Sequence, residues 1–169
     1  MEKEQRQDRC QAFISYVISR MGDDRAMGAK LRRADNPATE EQSWEYLAPW
    51  VNLTHTRERR VFGTVAAALA RAKPKADGTL GMGRAIASVY VDGAVNPQAK
   101  ARLRRLLACA SSEEACDILR PLLQLVVARG ATVGYAQLLR DLLFFSEKTR
   151  ERWAQDFFSS ATSEIQTEE

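Results

Sequence analysis

Apolar side chains recur at three- and four-residue spacing along most of this chain, which predicts amphipathic helices. The clearest stripe lies in a helix predicted over residues 6–21, and it consists of Cys10, Phe13, Ile14, Val17, Ile18 and Met21. Similar spacing predicts helices over residues 24–34, 57–73, 97–110, 113–128, 135–146 and 147–161, with shorter helices from Thr39 and around Gly83. No stretch of convincing length alternates apolar and polar residues as a strand would. The pattern therefore predicts an all-α protein.

Turn and cap residues divide this helical pattern. Asp23 or Asp24 can cap the second helix, and Ser111 or Ser112 can cap the helix that begins near residue 113. Pro121 lies inside that last helix and predicts a kink or an interruption. The break over residues 92–97 suggests two small helical-bundle subdomains packed together. We expect an N-terminal subdomain over residues 1–95 and a C-terminal one over 96–169, with a frayed acidic tail containing Glu164, Glu168 and Glu169.

Composition narrows the class of protein. The 169 residues contain no apolar run near the roughly 18 residues that a membrane helix needs. The charged start lacks the apolar core of a signal peptide, so we expect a cytoplasmic protein with no membrane partner. The cysteines are an odd number, at no zinc-ligand spacing, and are expected to be reduced structural thiols. They are Cys10, Cys109 and Cys116.

Catalytic chemistry has little support in the sequence. His55 is the only histidine, in a loop before a helix, where capping or surface exposure is its expected role. The Gly81-Met82-Gly83-Arg84 stretch superficially resembles a phosphate loop but lacks the strand that must precede one. The acidic pairs Asp23-Asp24 and Glu40-Glu41 stand where helix starts favour acids. We therefore expect no enzyme activity, no metal and no cofactor.

The arginines carry the remaining functional signal. Net charge is only +3, so a polyanion site would need local clustering. One cluster is usually a solvated helix face, but arginine-rich clusters recur here beside small residues. Arginine binds phosphate in a bidentate manner, and small neighbouring residues let a peptide or phosphodiester backbone approach the arginine closely. The tryptophans fall mostly on apolar stripes and are expected to pack. These features predict binding to phosphate backbones without base reading, and therefore a strong dependence on salt.

Three segments together resemble the CasB family, the small subunit of the type I-E CRISPR surveillance complex Cascade. They cover residues 28–34, 81–87 and 102–107, and the run over residues 135–158 continues the similarity. The resemblance implies an all-helical, two-part, non-enzymatic subunit. It also implies the partners: crRNA, the target and displaced DNA strands, the other Cascade subunits and a second copy of the chain. In that setting the subunit would steady the guide RNA–target duplex and hold the displaced strand.

Nine basic residues are the candidate phosphate contacts. Six follow from the resemblance: Lys30, Arg32, Arg33, Arg84, Arg102 and Arg105. Three weaker candidates follow from the helical projection: Arg57, Arg60 and Arg71. The hypothesis requires these groups to converge into one cationic track. The main alternative is a helical protein-interaction scaffold whose arginines pair with acidic partner surfaces. A helix-turn-helix regulator and a nuclease rank lower.

Overall fold

The computed structural model describes residues 1–165, without the side chains of Lys3, of residues 6–8 and of residues 161–165. The predicted acidic tail lies outside the described residues, apart from the backbone of Glu164. In the described part, α-helices α1 to α9 follow one another and no strand forms. The helices are α1 (Glu2–Asp23), α2 (Arg25–Leu31), α3 (Trp44–Leu47), α4 (Thr56–Ala72), α5 (Met82–Ser88), α6 (Pro97–Leu107), α7 (Ser112–Ala128), α8 (Tyr135–Leu143) and α9 (Glu147–Ile165). The all-α prediction is confirmed.

Local sequence signals explain where several helices begin. The Asp24 carboxylate accepts a hydrogen bond from the Met27 N–H at 3.0 Å and caps α2. Ser111 caps α7 in the same way, through the Glu114 N–H at 3.2 Å. His55 caps α4, since its Nδ1 accepts the Glu58 N–H at 3.4 Å. The capping roles predicted for these residues are confirmed.

Two predicted helices differ in detail. The helix expected from Thr39 begins as a 3-10 turn, Glu40–Ser43, before the single turn of α3. Of the kink or interruption predicted at Pro121, the interruption is wrong, because α7 runs unbroken from Ser112 to Ala128, and the kink stays a prediction. Proline removes one backbone hydrogen bond, but the buried side chains of Leu119, Leu122 and Leu123 on either side of it pack α7 into the core. Tertiary packing outweighs the missing bond.

Helix α4 lies at the centre of the molecule. Every residue from Val61 to Ala70 is buried, so apolar or small side chains face neighbours all round the helix. Helix α4 packs against α7, α8, α2 and α1, while α5 packs most extensively against α9. One hydrophobic core extends from Cys10 to Phe157. A subdomain boundary at residues 95/96 stays a prediction, and it would have to cut across this shared core.

A glycine allows the close contact between α5 and α9. A Cβ atom added at Gly83 would lie 2.8 Å from the Phe157 nitrogen and 3.0 Å from the Asp156 Cβ, and closer still to the Trp153 carbonyl oxygen. Two of these atoms belong to the α9 backbone, which cannot rotate away as a flexible side chain can. A residue without a side chain is therefore required where the two helices meet.

The segment between α4 and α5 is tied to the start of α8. The Asp77 carboxylate accepts hydrogen bonds from the Tyr135 N–H at 2.7 Å and the Ala136 N–H at 3.2 Å. The Leu80 carbonyl accepts the Gly134 N–H at 2.9 Å, beside an isolated parallel bridge between Leu80 and Val133. Asp77 thus supplies the N-terminal cap that Gly134 has no side chain to provide.

Two carboxylates are buried among the helices. The Asp35 side chain is 2% exposed and forms ion pairs with Arg71 of α4 and Arg120 of α7. Asp141 on α8 accepts hydrogen bonds from the Trp153 Nε1–H at 2.8 Å, from Gln137 at 2.8 Å and from Arg152 at 2.6 Å. Burial raises the pKa of Asp141, and these three donors partly offset the rise.

The cysteines behave as the sequence predicts. All three are buried and none forms a disulfide. Burial raises the pKa of the Cys10 and Cys116 thiols to about 11 in each case, so both stay protonated at neutral pH. Among the residues that the structure describes, no cluster of metal-ligating side chains forms. No helix in that part of the chain combines the length and apolar character needed to cross a membrane.

Candidate nucleic-acid interface

The three weaker candidates all have partners within the fold. Arg71 makes a two-point contact with Asp35, at 2.6 and 2.9 Å, and also donates to the Arg32 carbonyl at 3.0 Å. Arg57 donates to the Ser112 hydroxyl at 3.1 Å and to the Leu143 carbonyl. These guanidinium groups join α4 to the neighbouring helices, so a phosphate would have to compete with existing hydrogen bonds.

Two of the stronger candidates line one cleft between α6 and α7, and Arg60 pairs with an aspartate of the same cleft. Arg60 forms an ion pair with Asp117, and that aspartate lines a small cleft of about 90 Å³ together with Arg102 and Arg105. The rest of the cleft consists of Ile118, Pro121 and Leu122. The structure therefore places Arg60, through its ion pair with Asp117, in the same region of the surface as Arg102 and Arg105.

Helix α6 presents the two arginines of this cleft differently. Arg102 is half-buried, and its Nε donates to the Tyr90 hydroxyl at 2.7 Å, which orients the guanidinium group. Arg105 is exposed and has no ion pair within the described chain. Leu103 and Leu106 are buried beneath them and hold α6 against the core. We define Arg102 and Arg105 as the α6 pair; both can present N–H donors to a phosphate.

The candidates on and after α2 have weaker internal contacts. Lys30 pairs with Glu45 at the surface, and this hydrogen bond is the main cause of the raised pKa of Lys30. Arg33 donates to the side chain of Gln42. Arg32 donates through Nε to the Gly28 carbonyl at 3.2 Å, and its terminal nitrogens make no hydrogen bond or ion pair in the described part of the chain. Surface contacts of this kind are weak and exchange readily with other partners.

Arg84 is exposed on α5 and has no hydrogen-bond or ion-pair partner in the described part of the chain. Its neighbours Gly83 and Ala85 are both buried. The close packing of α5 on α9 fixes the backbone from which Arg84 projects. The single track that would join all nine basic residues stays a prediction.

Sequence reasoning missed a second basic cleft. It has a volume of about 700 Å³ and is formed by the end of α1, by α2 and by the chain just after α4. Four cations line it: Arg25, Arg32, Lys73 and Lys75. Only Arg32 was a candidate, although the Lys73-Pro74-Lys75 run directly after a helix is a visible signal. We name this site the α2 cleft.

A comparison with family models finds a match over most of the chain. Residues 28–158 match the family model described as CRISPR-associated protein Cse2. The chain belongs to the Cse2 family of CRISPR-associated proteins. All nine candidate residues lie within the matched segment, and the CasB resemblance noted from the sequence is confirmed. No curated protein sequence matches this Cse2-family chain.

Solved structures share its fold. The chain is similar to a chain of a CRISPR RNA-guided surveillance complex, at 20% identity and a TM-score of 0.79, covering 97% of this chain and 99% of the other. A Cse2-family protein from Thermus thermophilus is 22% identical, with a TM-score of 0.73 and coverage of 89% and 97%. CasB from M. ruber is 24% identical, with a TM-score of 0.71 and coverage of 94% and 97%.

Proposed function

We propose that this Cse2-family chain is a non-catalytic small subunit of a type I-E Cascade complex. In that complex it binds nucleic-acid backbones, stabilises the pairing of guide RNA with target DNA and holds the displaced DNA strand. The α6 pair is the observation that carries this proposal: Arg105 is exposed, Tyr90 orients the half-buried Arg102, and buried leucines hold the helix beneath both. The family match and the fold shared with a chain of an RNA-guided surveillance complex support the setting.

Backbone binding suits the chemistry of these residues. Guide–target base pairing reads the sequence in such complexes, so a helper subunit needs to recognise only charge and shape. Arginine provides several donors in a fixed plane and stays charged at any physiological pH. The net charge of +3 suits a subunit whose affinity for a strand becomes effective once other subunits hold that strand nearby. A second copy of the chain in the complex would extend the surface.

A charge-reversal experiment tests this function. The complex is assembled with guide RNA, with either the wild-type chain or the Arg102→Glu/Arg105→Glu double variant, and target binding is measured across a salt series. Loss of two phosphate contacts should reduce the slope of log affinity against log salt by about 1.4 to 1.8. Arg129→Glu/Lys148→Glu is the matched control, since both residues are exposed, line neither cleft and give the same change in charge.

The alternative is a protein-interaction scaffold without nucleic-acid contact. The exposed apolar side chains Val91, at 99% exposure, and Phe158, at 51%, favour protein contacts. Under this alternative, the α6 double variant would dissociate from the complex while the remaining complex kept an unchanged salt slope. Retention of the variant subunit with a reduced slope would support backbone binding, and an unchanged slope with full retention would contradict it.

A further inference from the structure

We infer that the α2 cleft binds a stretch of single-stranded nucleic acid. Its cations contact the phosphates, and its apolar wall receives an unpaired base or sugar. This inference rests on the proposed function and adds a second contact site to it, formed by residues that are largely different from the candidates. Arg25 even lies outside the segment that matches the family.

The charge of the cleft is strongly unbalanced. Arg25, Lys73 and Lys75 are exposed, and none has an ion-pair partner among the described residues. Of the residues that the structure describes, Asp24 is the one acidic residue lining the cleft, and its carboxylate already caps α2 through the Met27 N–H. The cleft thus holds four cations against a single engaged carboxylate, and a bound polyanion would supply the missing negative charge.

The shape of the cleft fits a flexible strand. Its volume of about 700 Å³ is within the range of ~300–1,000 Å³ typical of ligand pockets. Gly22 and Gly28 line it, and a Cβ atom added to either residue would meet nothing within 4 Å. The half-buried side chains of Ile18 and Met21 add apolar surface beside the cations. Only an unpaired base can reach such a wall, because duplex bases are already paired and stacked.

The cleft is also held in shape before any ligand binds. Lys73 has a left-handed backbone conformation, with φ of 47° and ψ of 51°, and its N–H bonds to the Leu69 carbonyl at 2.8 Å to close α4. Asp77 then fixes the following turn to α8. On the opposite side, the Arg32 Nε contact with the Gly28 carbonyl orients the guanidinium group. Prior ordering lowers the entropy cost of binding.

Binding of a fluorescein-labelled oligothymidylate to the full-length chain tests the charge requirement. The Arg25→Glu/Lys75→Glu variant should reduce the slope of log affinity against log salt by about 1.4, because each single-strand phosphate contact contributes ~0.7. That change corresponds to a loss of affinity of about 25-fold at ~0.1 M salt. Arg129→Glu/Lys148→Glu should change the slope much less, and circular dichroism should show that all variants fold.

Photocrosslinking tests the apolar wall. An oligonucleotide containing 4-thiothymidine should form adducts with the peptide that contains Ile18 and Met21, and mass spectrometry identifies that peptide. Adducts found only on other peptides would overturn the inference, as would a cleft variant that binds like the control. If the α6 double variant still weakens binding in that case, the proposed function survives. If the wild type shows no salt-dependent binding, alone or in the complex, both proposals fail.

Discussion

Replacing Gly83 with alanine should destabilise this protein, although alanine is the better helix former. Gly83 lies within α5, where alanine would ordinarily improve stability by about 0.5–1 kcal/mol. Here the new methyl group would lie 2.8 Å from the Phe157 nitrogen and 3.0 Å from the Asp156 Cβ, and it would overlap the Trp153 carbonyl. Because the obstruction is mostly α9 backbone, α5 and α9 would have to move apart.

The size of the effect follows from two opposing terms. Overpacking typically costs about 1–3 kcal/mol, and a cost near or above the upper end is expected when backbone atoms obstruct. Subtracting the helix-propensity gain leaves a net destabilisation of about 2–3 kcal/mol. For a protein of this size, each kcal/mol shifts the melting temperature by about 2–4 °C. We therefore expect a decrease of about 4–12 °C.

Thermal and urea unfolding, followed by circular dichroism, measure this change. Gly28→Ala is the matched control, because Gly28 also lies in a short helix but a Cβ atom there has nothing within 4 Å. The control should raise the melting temperature slightly. If Gly83→Ala matched or exceeded the wild type in stability, the close α5–α9 packing could not be as described.

Three further predictions concern buried groups. Asp141→Ala should destabilise the fold by about 3 kcal/mol in urea unfolding, because the Trp153 Nε1–H would lose its acceptor; an effect below about 1 kcal/mol would refute this. Burial raises the pKa of Asp141 above 3.8, so ionisation of its carboxyl group opposes folding. The free energy of unfolding should therefore fall as the pH rises from about 4. Asp141→Asn should remove this dependence of the free energy of unfolding on pH. Iodoacetamide should leave Cys10 and Cys116 unmodified at about pH 8 in the folded chain, as mass spectrometry can check, because burial raises both pKa values to about 11.

The helices were predictable because their signals are local. Apolar spacing located the long helices, and Asp24, Ser111 and His55 cap residues only three positions away. Pro121 shows the limit of such reasoning, since the packing that keeps α7 continuous comes from other helices. The tendency of a residue to break a helix competes with the packing of that helix against others, and packing prevails where enough apolar surface is buried.

Which arginines have an acidic partner within the fold could not be predicted in the same way. Arg71 meets Asp35 across 36 positions, and Arg60 meets Asp117 across 57. No pattern along one helix reveals such partners, so the helical projection included these arginines among the candidates, although as weaker ones. The α2 cleft was missed for a related reason, because Met21, Arg25 and Lys75 come from three separate segments. Folding brings them together, whereas sequence spacing does not.

The two hydrogen bonds that the Asp77 carboxylate accepts have a practical consequence for anyone who modifies this protein. Asp77 lies two positions after Lys75, yet it closes the first turn of a helix 58 positions further along the chain. Inserting a tag or a longer turn between Lys75 and Gly78 would therefore shift the origin of α8 as well. A change in the backbone around Lys73 and Lys75 should therefore also alter the start of α8.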